Sequence, residues 1–255
     1  MEEQKGCCRG TRIVGLIVVL LVGGVGYLGV TKVMQRRAVT RAEAQLKKGF
    51  GALAAESIDR YRSHLVKSAD GCKTLALAYS AARKLERLEW AGEACLDNGI
   101  ETLEVYEGLA SAEDSLGRDA DAIQIMNAAV QKFPKSPDPL VNLARLFRKN
   151  KDDNRAALAL MKAVEVSGDN HQLELEAIQF FSSTNRWPEA KQMADRLKAV
   201  QTDNPEVKLF IAEALSKGGD KEGAKAQVAQ AETMLAKATP EQKAALKKKY
   251  ADVYR

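Results

Sequence analysis

Through most of the chain, apolar residues recur at three- and four-residue steps, the spacing of one face of an α-helix, and short polar breaks interrupt them. Between Pro137 and Asn170, Leu140, Leu143, Ala144 and Phe147 stripe a first helix and Ala156, Leu160, Ala163 and Val164 stripe a second, with a polar turn at Asn150 to Asn154. A shift of 34 residues lays this pattern on itself. Ala122, Ala156, Ala190 and Ala224 form one column, extended toward the N-terminus by Leu88 and Ala54. Ala76, Ala110, Ala144, Ile178 and Ala212 form a second, each preceded by Leu75, Leu109, Leu143, Ala177 or Ile211, and Cys95, Ala129, Ala163, Leu197 and Ala231 form a third. Between the first two runs lies a column of turn positions, Gly49, Arg83, Gly117, Lys151, Asn185 and Gly219.

The pattern predicts one antiparallel helical hairpin per repeat. Small residues sit where the two helices cross most closely, and larger apolar residues fill the space between hairpins. One hairpin cannot bury its apolar face alone, but a stack can. Pro134, Pro137, Pro139, Pro188 and Pro205 fall at helix boundaries, where a missing N–H does little harm. Thr239-Pro240-Glu241-Gln242 reads as an N-cap, a first-turn proline and a capping-box Gln. Leu246, Tyr250 and Val253 of the helix it opens can cover the end of the stack. Aromatic residues are only 5% of the chain, which argues against an all-β sandwich.

The Leu-Ala pair in the first helix, the Gly or polar turn and the two small columns resemble the tetratricopeptide repeat family. Pro134 stands where that family places its terminal proline. The resemblance covers residues 103–238 as four units, 69–102 less closely because Leu88 replaces an alanine, and 35–68 faintly. Glu174 and Lys208 occupy the family's bulky first-helix position and weaken their two units. The expected fold is all-α, a right-handed α-solenoid of helical hairpins preceded by one N-terminal transmembrane helix. In that family the first helices line a concave groove that binds peptides or partner helices. Carried over, the groove residues are Lys73, Leu77, Glu107, Ser111, Asn142, Arg145, Arg148, Gln179 and Glu213. A subclass clamps a partner's C-terminal carboxylate with Lys and Asn. Leu77 in place of the clamp's first Asn, and Glu176 or Glu104 in place of cations, argue against that activity here.

The transmembrane expectation rests on Ile13 to Val30, an uncharged run of 18 residues with Lys or Arg on both sides. At about 1.5 Å per residue it spans roughly 27 Å, and Thr31, Val33 and Met34 extend it to bilayer thickness with Lys32 snorkelling. No small-residue cleavage site precedes Arg36, so a retained anchor over 13–34 is preferred to a cleaved signal. Gly15, Gly23 and Gly26 fall near one face of that helix and could let two copies approach. Cys7 and Cys8 precede the run, as flanking thiols or, in a eukaryote, as acylation sites. The expected order is a tail at 1–12, the anchor, a basic degenerate unit at 35–68, repeats at 69–238 and a capping helix at 239–255.

The net charge of +5 is local rather than general. Residues 1–12 carry +1 and residues 31–48 carry +5, from Lys32, Arg36, Arg37, Arg41, Lys47 and Lys48 against Glu43, which leaves −1 for residues 49–255. Cations beside the anchor suit anionic headgroups. Nucleic-acid binding is disfavoured because the body is near neutral. The positive-inside rule leans toward a cytoplasmic body, while a short tail holding Lys5, Arg9 and Arg12 is itself hard to translocate, so the side stays open.

Catalytic chemistry has little to work with. The two histidines, His64 and His171, fall in different units, and no phosphate-binding glycine loop, C-x-x-C pair or H-E-x-x-H is present. Neither an enzyme, a cofactor, a metal nor a small-molecule substrate is expected. Cys72 lies early in a first helix and Cys95 late in the following second helix, at similar heights in the hairpin. They read as a disulfide if the body lies outside the cytoplasm, or, as the plainer alternative, as two buried thiols packing like small apolar residues. The function implied is a membrane-anchored scaffold or adaptor that binds a protein partner, near translocation or envelope-assembly machinery. The alternative is a fixed structural subunit of a larger membrane complex.

Overall fold

A computed structural model describes residues 31–254 of the protein. The run 13–30, with the glycine face and the tail cysteines, lies outside the described residues. Every element described is helical, and the contacts divide the chain into two compact units, Met1–Ile125 and Met126–Arg255.

The first unit contains α1 over residues 31–47, α2 (Gly51–Asp59), α3 (Arg62–Leu65), α4 (Ala69–Ala81), α5 (Leu85–Asp97) and α6 (Leu103–Ser115). The unit boundary falls within α7 (Asp119–Lys132). The second unit contains α8 (Asp138–Lys149), α9 (Asp153–Ser167), α10 (His171–Ser183), α11 (Trp187–Leu197), α12 (Pro205–Lys217), α13 (Lys221–Leu235) and α14 (Pro240–Lys249), closed by a 3₁₀ turn at Ala251–Tyr254. Helices α4 and α5, α8 and α9, α10 and α11, and α12 and α13 pair as the repeat predicts, with first helices opening at Ala69, Leu103, Asp138, His171 and Pro205.

The columns explain the packing. All six residues of the alanine column are buried, as are all five of each small-residue column. The turn column is equally regular. Gly49, Arg83, Gly117, Lys151, Asn185 and Gly219 all adopt positive φ, between 52° and 93°. The residue after each folds back onto the helix it leaves, as in Lys84 N–H to Tyr79 carbonyl (2.9 Å), Arg118 to Glu113 (2.9 Å) and Asp220 to Leu215 (2.8 Å). Left-handed backbone recurs at this one position in each unit and ends the helix there, whether or not glycine occupies it.

Helix starts are capped by short polar side chains. Ser68, Asn170 and Asn204 cap α4, α10 and α12, and Asp152 and Asp220 cap α9 and α13, each accepting a hydrogen bond from a first-turn backbone N–H. Thr239 and Gln242 form the reciprocal capping box of α14. Tyr250 is buried against Leu209 and Ala231, with Leu246 and Val253 packed beside it. Helix α14 stops at Lys249, and the remaining residues tighten into the 3₁₀ turn.

Three features differ from the sequence reading. In the faint unit 35–68, the second helix is cut at Asp59. The Asp59 carboxylate accepts from the Tyr79 hydroxyl (2.8 Å) and pairs with Arg87, which ties the end of α2 to α4 and α5. Only the single turn α3 remains before the chain reaches α4. There Gly71 is needed, because a Cβ would lie 2.2 Å from the Leu65 carbonyl oxygen. Burial, and then the bond to Asp59, push the Tyr79 hydroxyl up to about 12.

Second, Cys72 and Cys95 are joined in a disulfide, Cα atoms 6.0 Å apart, in place of two separate thiols. Both are buried in a core shared with Ala55, Ile58, Leu65, Leu75 and Tyr79. Third, Glu174 and Lys208 do not break their units. Each is buried with a polar partner: Glu174 with Arg196 and His171, and Lys208 with the Val200 carbonyl oxygen at 2.9 Å. Residues 31–34, the end of the expected anchor, continue without a break into α1, and among the described residues no helix is long and apolar enough to cross a membrane.

Candidate functional site

The nine groove candidates lie on first helices. Leu77, Ser111, Arg145, Gln179 and Glu213 form a single 34-residue column, one residue past the buried column headed by Ala76. A one-residue step on a helix turns the side chain by about 100°, from the hairpin interior toward solvent. The burial pattern follows: Leu77, Arg145 and Gln179 are exposed and Ser111 and Glu213 half-buried. Lys73 and Glu107 form a parallel column one turn earlier, exposed and half-buried. Asn142 is half-buried and Arg148 exposed on α8.

In the first unit this face combines Leu77, 44% exposed, with an ion pair between Lys73 and Glu104 at 2.5 Å. The Glu104 hydrogen bond and charge raise the Lys73 ammonium above its usual value. Burial of Glu104 favours its neutral form, but the bond from Lys73 and a backbone N–H outweigh it and hold the carboxyl low. Lys73 is therefore a positive group already neutralised by a neighbour across α4 and α6. The column also extends to α1. A cleft of about 630 Å³ between α1 and α4 is lined by Lys32, Arg36, Val39, Glu43 and Asp70, and Glu43 stands one repeat before Leu77.

In the second unit, the Arg148 guanidinium lies 5.7 Å from the centre of the Phe180 ring, which fixes it across α8 and α10. Glu213 pairs with Lys217 at 3.2 Å, and Lys217 in turn lies over Trp187. A cleft of about 290 Å³ between α10, α12 and the end of α14 is lined by Gln179 together with Leu175, Glu176, Val207, Phe210 and Tyr250. Lys249 reaches Glu206 at its rim, at 2.5 Å. The lining mixes the apolar Leu175, Val207 and Phe210 with the amides of Gln172, Gln179 and Asn204 and the carboxylates of Glu176 and Glu206.

Of the nine candidates, the structure brings Lys73, Leu77, Glu107 and Ser111 onto the neighbouring helices α4 and α6 of the first unit. The other five lie on α8, α10 and α12 of the second. Sequence reasoning missed Val39, Glu43, Leu175, Val207 and Phe210. The first two belong to the faint unit, where no repeat register was strong enough to carry the column. The last three look like core positions of an amphipathic helix, and only the packing leaves them partly open. Among the described residues no group of three or more His, Cys, Asp or Glu is placed to hold a metal.

Comparison with known proteins agrees with this geometry. Residues 103–146 match the tetratricopeptide repeat model. The chain is similar in fold to the structure reported for the functional characterisation of Pseudomonas aeruginosa pilF, at 15% identity and a TM-score of 0.57, covering 81% of this chain and 94% of that one. It is similar to the C-terminal part of a repeat-containing protein from Cytophaga hutchinsonii, at 16% identity and a TM-score of 0.61, covering 78% and 79%. A chain of the Naa15/Naa10 assembly bound to HypK-THB matches at 16% identity and a TM-score of 0.58, covering 68% of this chain and 26% of that one. No curated protein sequence matches. Fold and matched segment thus define a tetratricopeptide-like helical-repeat architecture.

Proposed function

We propose that this chain is a membrane-anchored scaffold whose first-helix face recruits a partner protein, near translocation or envelope-assembly machinery. The observation that carries the reading is the contrast between adjacent columns. The buried column is small or apolar in every unit, as packing demands, whereas the exposed one reads Leu77, Ser111, Arg145, Gln179, Glu213. A column that differs in chemistry from unit to unit can specify a partner, since each position offers a different contact. Catalysis forms no part of this reading. Anchoring is supported by the uncharged run 13–30 and by the cations Lys32, Arg36, Arg37 and Arg41 on the chain that follows it. That one similar structure is an assembly, Naa15/Naa10 bound to HypK-THB, accords with a protein partner.

A photo-crosslinking residue at Leu77 or Gln179, activated in intact membranes, is expected to trap one partner chain that mass spectrometry identifies. Absence of any crosslinked protein from both positions would overturn recruitment. If the partner is trapped but the body, residues 35–255, neither folds alone nor rebinds it, the chain is a fixed subunit of a larger complex instead.

A further inference from the structure

We propose that the repeat body resides in an oxidising compartment, with the N-terminal tail on the other side of the membrane. The topological half of this proposal rests on the anchor reading above; the redox half does not. Cys72 on α4 and Cys95 on α5 are 23 residues apart in sequence and bonded in the structure, their Cα atoms at 6.0 Å. Each is 1% exposed.

The repeat register makes this pair distinctive. Cys72 stands in the column of Tyr106, Leu140, Glu174 and Lys208, where the other units place a large side chain, and Cys95 in the column of Ala129, Ala163, Leu197 and Ala231. A cysteine opposite a cysteine is the smallest filling of these two columns. As separate thiols they would replace a large side chain by one of a few atoms, and as a bond they span the gap covalently. The surrounding core of Ala55, Ile58, Leu65, Val66 and Ala91 leaves the sulfurs no route to an exchanging thiol once the unit is folded. The bond is therefore structural, made while the hairpin is still open: a Cys72 or Cys95 thiolate attacks a disulfide-bonded thiol oxidant, the partner thiolate displaces it, and two reduced oxidant thiols leave as the cystine forms. Cytosolic thiols are held reduced, so a buried structural disulfide places the body outside the cytosol.

The tail agrees. Lys5, Arg9 and Arg12 precede the run, and cations beside a span favour the cytoplasmic side, which accords with the body as the part that crosses. The cations after the run oppose this orientation by the loop-charge rule, but in the structure Lys32 and Arg36 line the cleft between α1 and α4, and Arg37 and Arg41 line a cleft with Glu56 and Tyr61.

The test uses the full chain in its own cells. Free thiols are blocked with N-ethylmaleimide at lysis under denaturing conditions, and peptides are mapped without reduction. A Cys72 peptide linked to a Cys95 peptide is expected; both peptides carrying maleimide, from a protein that does form the link on oxidative refolding, would overturn the compartment assignment. In sealed right-side-out vesicles, a Cys7→Ser, Cys8→Ser, Leu158→Cys variant is expected to react with a membrane-impermeant maleimide before permeabilisation, Leu158 being 68% exposed and outside the proposed binding face. Reaction only after permeabilisation would overturn the topology. A linked peptide from a protein that does not sediment with membranes would refute the anchor and leave the oxidising compartment standing.

Discussion

Arg83, Lys151 and Asn185 carry a side chain at a backbone position that Gly49, Gly117 and Gly219 occupy in the other units. Left-handed backbone costs a residue with a Cβ about 1–2 kcal/mol, and glycine avoids this at some expense in unfolded-state entropy. Arg83→Gly and Lys151→Gly should each raise stability by about 0.5–1 kcal/mol, and Asn185→Gly by less, seen as a higher denaturation midpoint in urea with unchanged slope. Buried charge gives a second expectation. Glu174 is held by Arg196, which is itself partly in water, so Glu174→Ala should cost about 2 kcal/mol rather than the larger loss of a fully enclosed pair. Glu174→Leu restores the bulky residue and should come within about 1 kcal/mol of the native protein or exceed it. Lys208 gives a third. Burial lowers its ammonium below 10.5, so the folded state binds this proton less tightly than the unfolded one. That penalty is present at neutral pH and fades as pH rises from the folded value toward the unfolded one. Lys208→Met should therefore be more stable at pH 7, and its advantage should shrink at alkaline pH when the two proteins are melted side by side. A result with no pH dependence in the difference would remove the burial argument.

At the scale of elements, the α4–α5 hairpin and the C-terminal end are held in different ways. The α4–α5 hairpin is closed by a disulfide whose 23-residue separation limits the unfolded chain by about 3 kcal/mol in the loop-closure view. Reduction should lower the melting temperature by several degrees without abolishing helicity, because the alanine and leucine columns around the bond stay packed. At the C-terminal end α14 depends on its cap. Thr239→Ala removes one half of the reciprocal box and should cost about 1 kcal/mol. Deleting 239–255 uncovers Leu209, Phe210 and Ala231, and amide exchange in α12 and α13 should accelerate more than in α8 and α9. These elements were largely readable from the chain: helix boundaries followed prolines, caps and the turn column because each is a local backbone requirement. The exception was the unit at 35–68. There α2 ends at Asp59 because of partners on α4 and α5, Tyr79 and Arg87, which no local pattern around Asp59 announces.

At the scale of the whole molecule, the proposed binding face should be separable from the fold. Leu77 is close to half exposed, so Leu77→Asp should leave the melting temperature within about 1 °C while reducing partner crosslinking at least tenfold. Equal loss of both would make Leu77 a packing residue. The 34-residue period by itself determined the hairpin architecture, the buried columns and the turn positions. Each follows from helical periodicity and backbone sterics within one unit, and recurs often enough to be read. The same register located the exposed column, because one step along a helix moves a side chain from the interior to the surface. What only the tertiary structure decided were pairings between residues distant in sequence or alike in pattern. Cys72 and Cys95 could have been two thiols, and the hairpin brings them to bonding distance. Glu174 and Lys208 looked like faults, and packing supplied Arg196 and the Val200 carbonyl. Leu175, Val207 and Phe210 looked like core, and the space between α10, α12 and α14 left them open. Periodicity records which face of a helix is apolar; what stands opposite that face depends on how the helices meet.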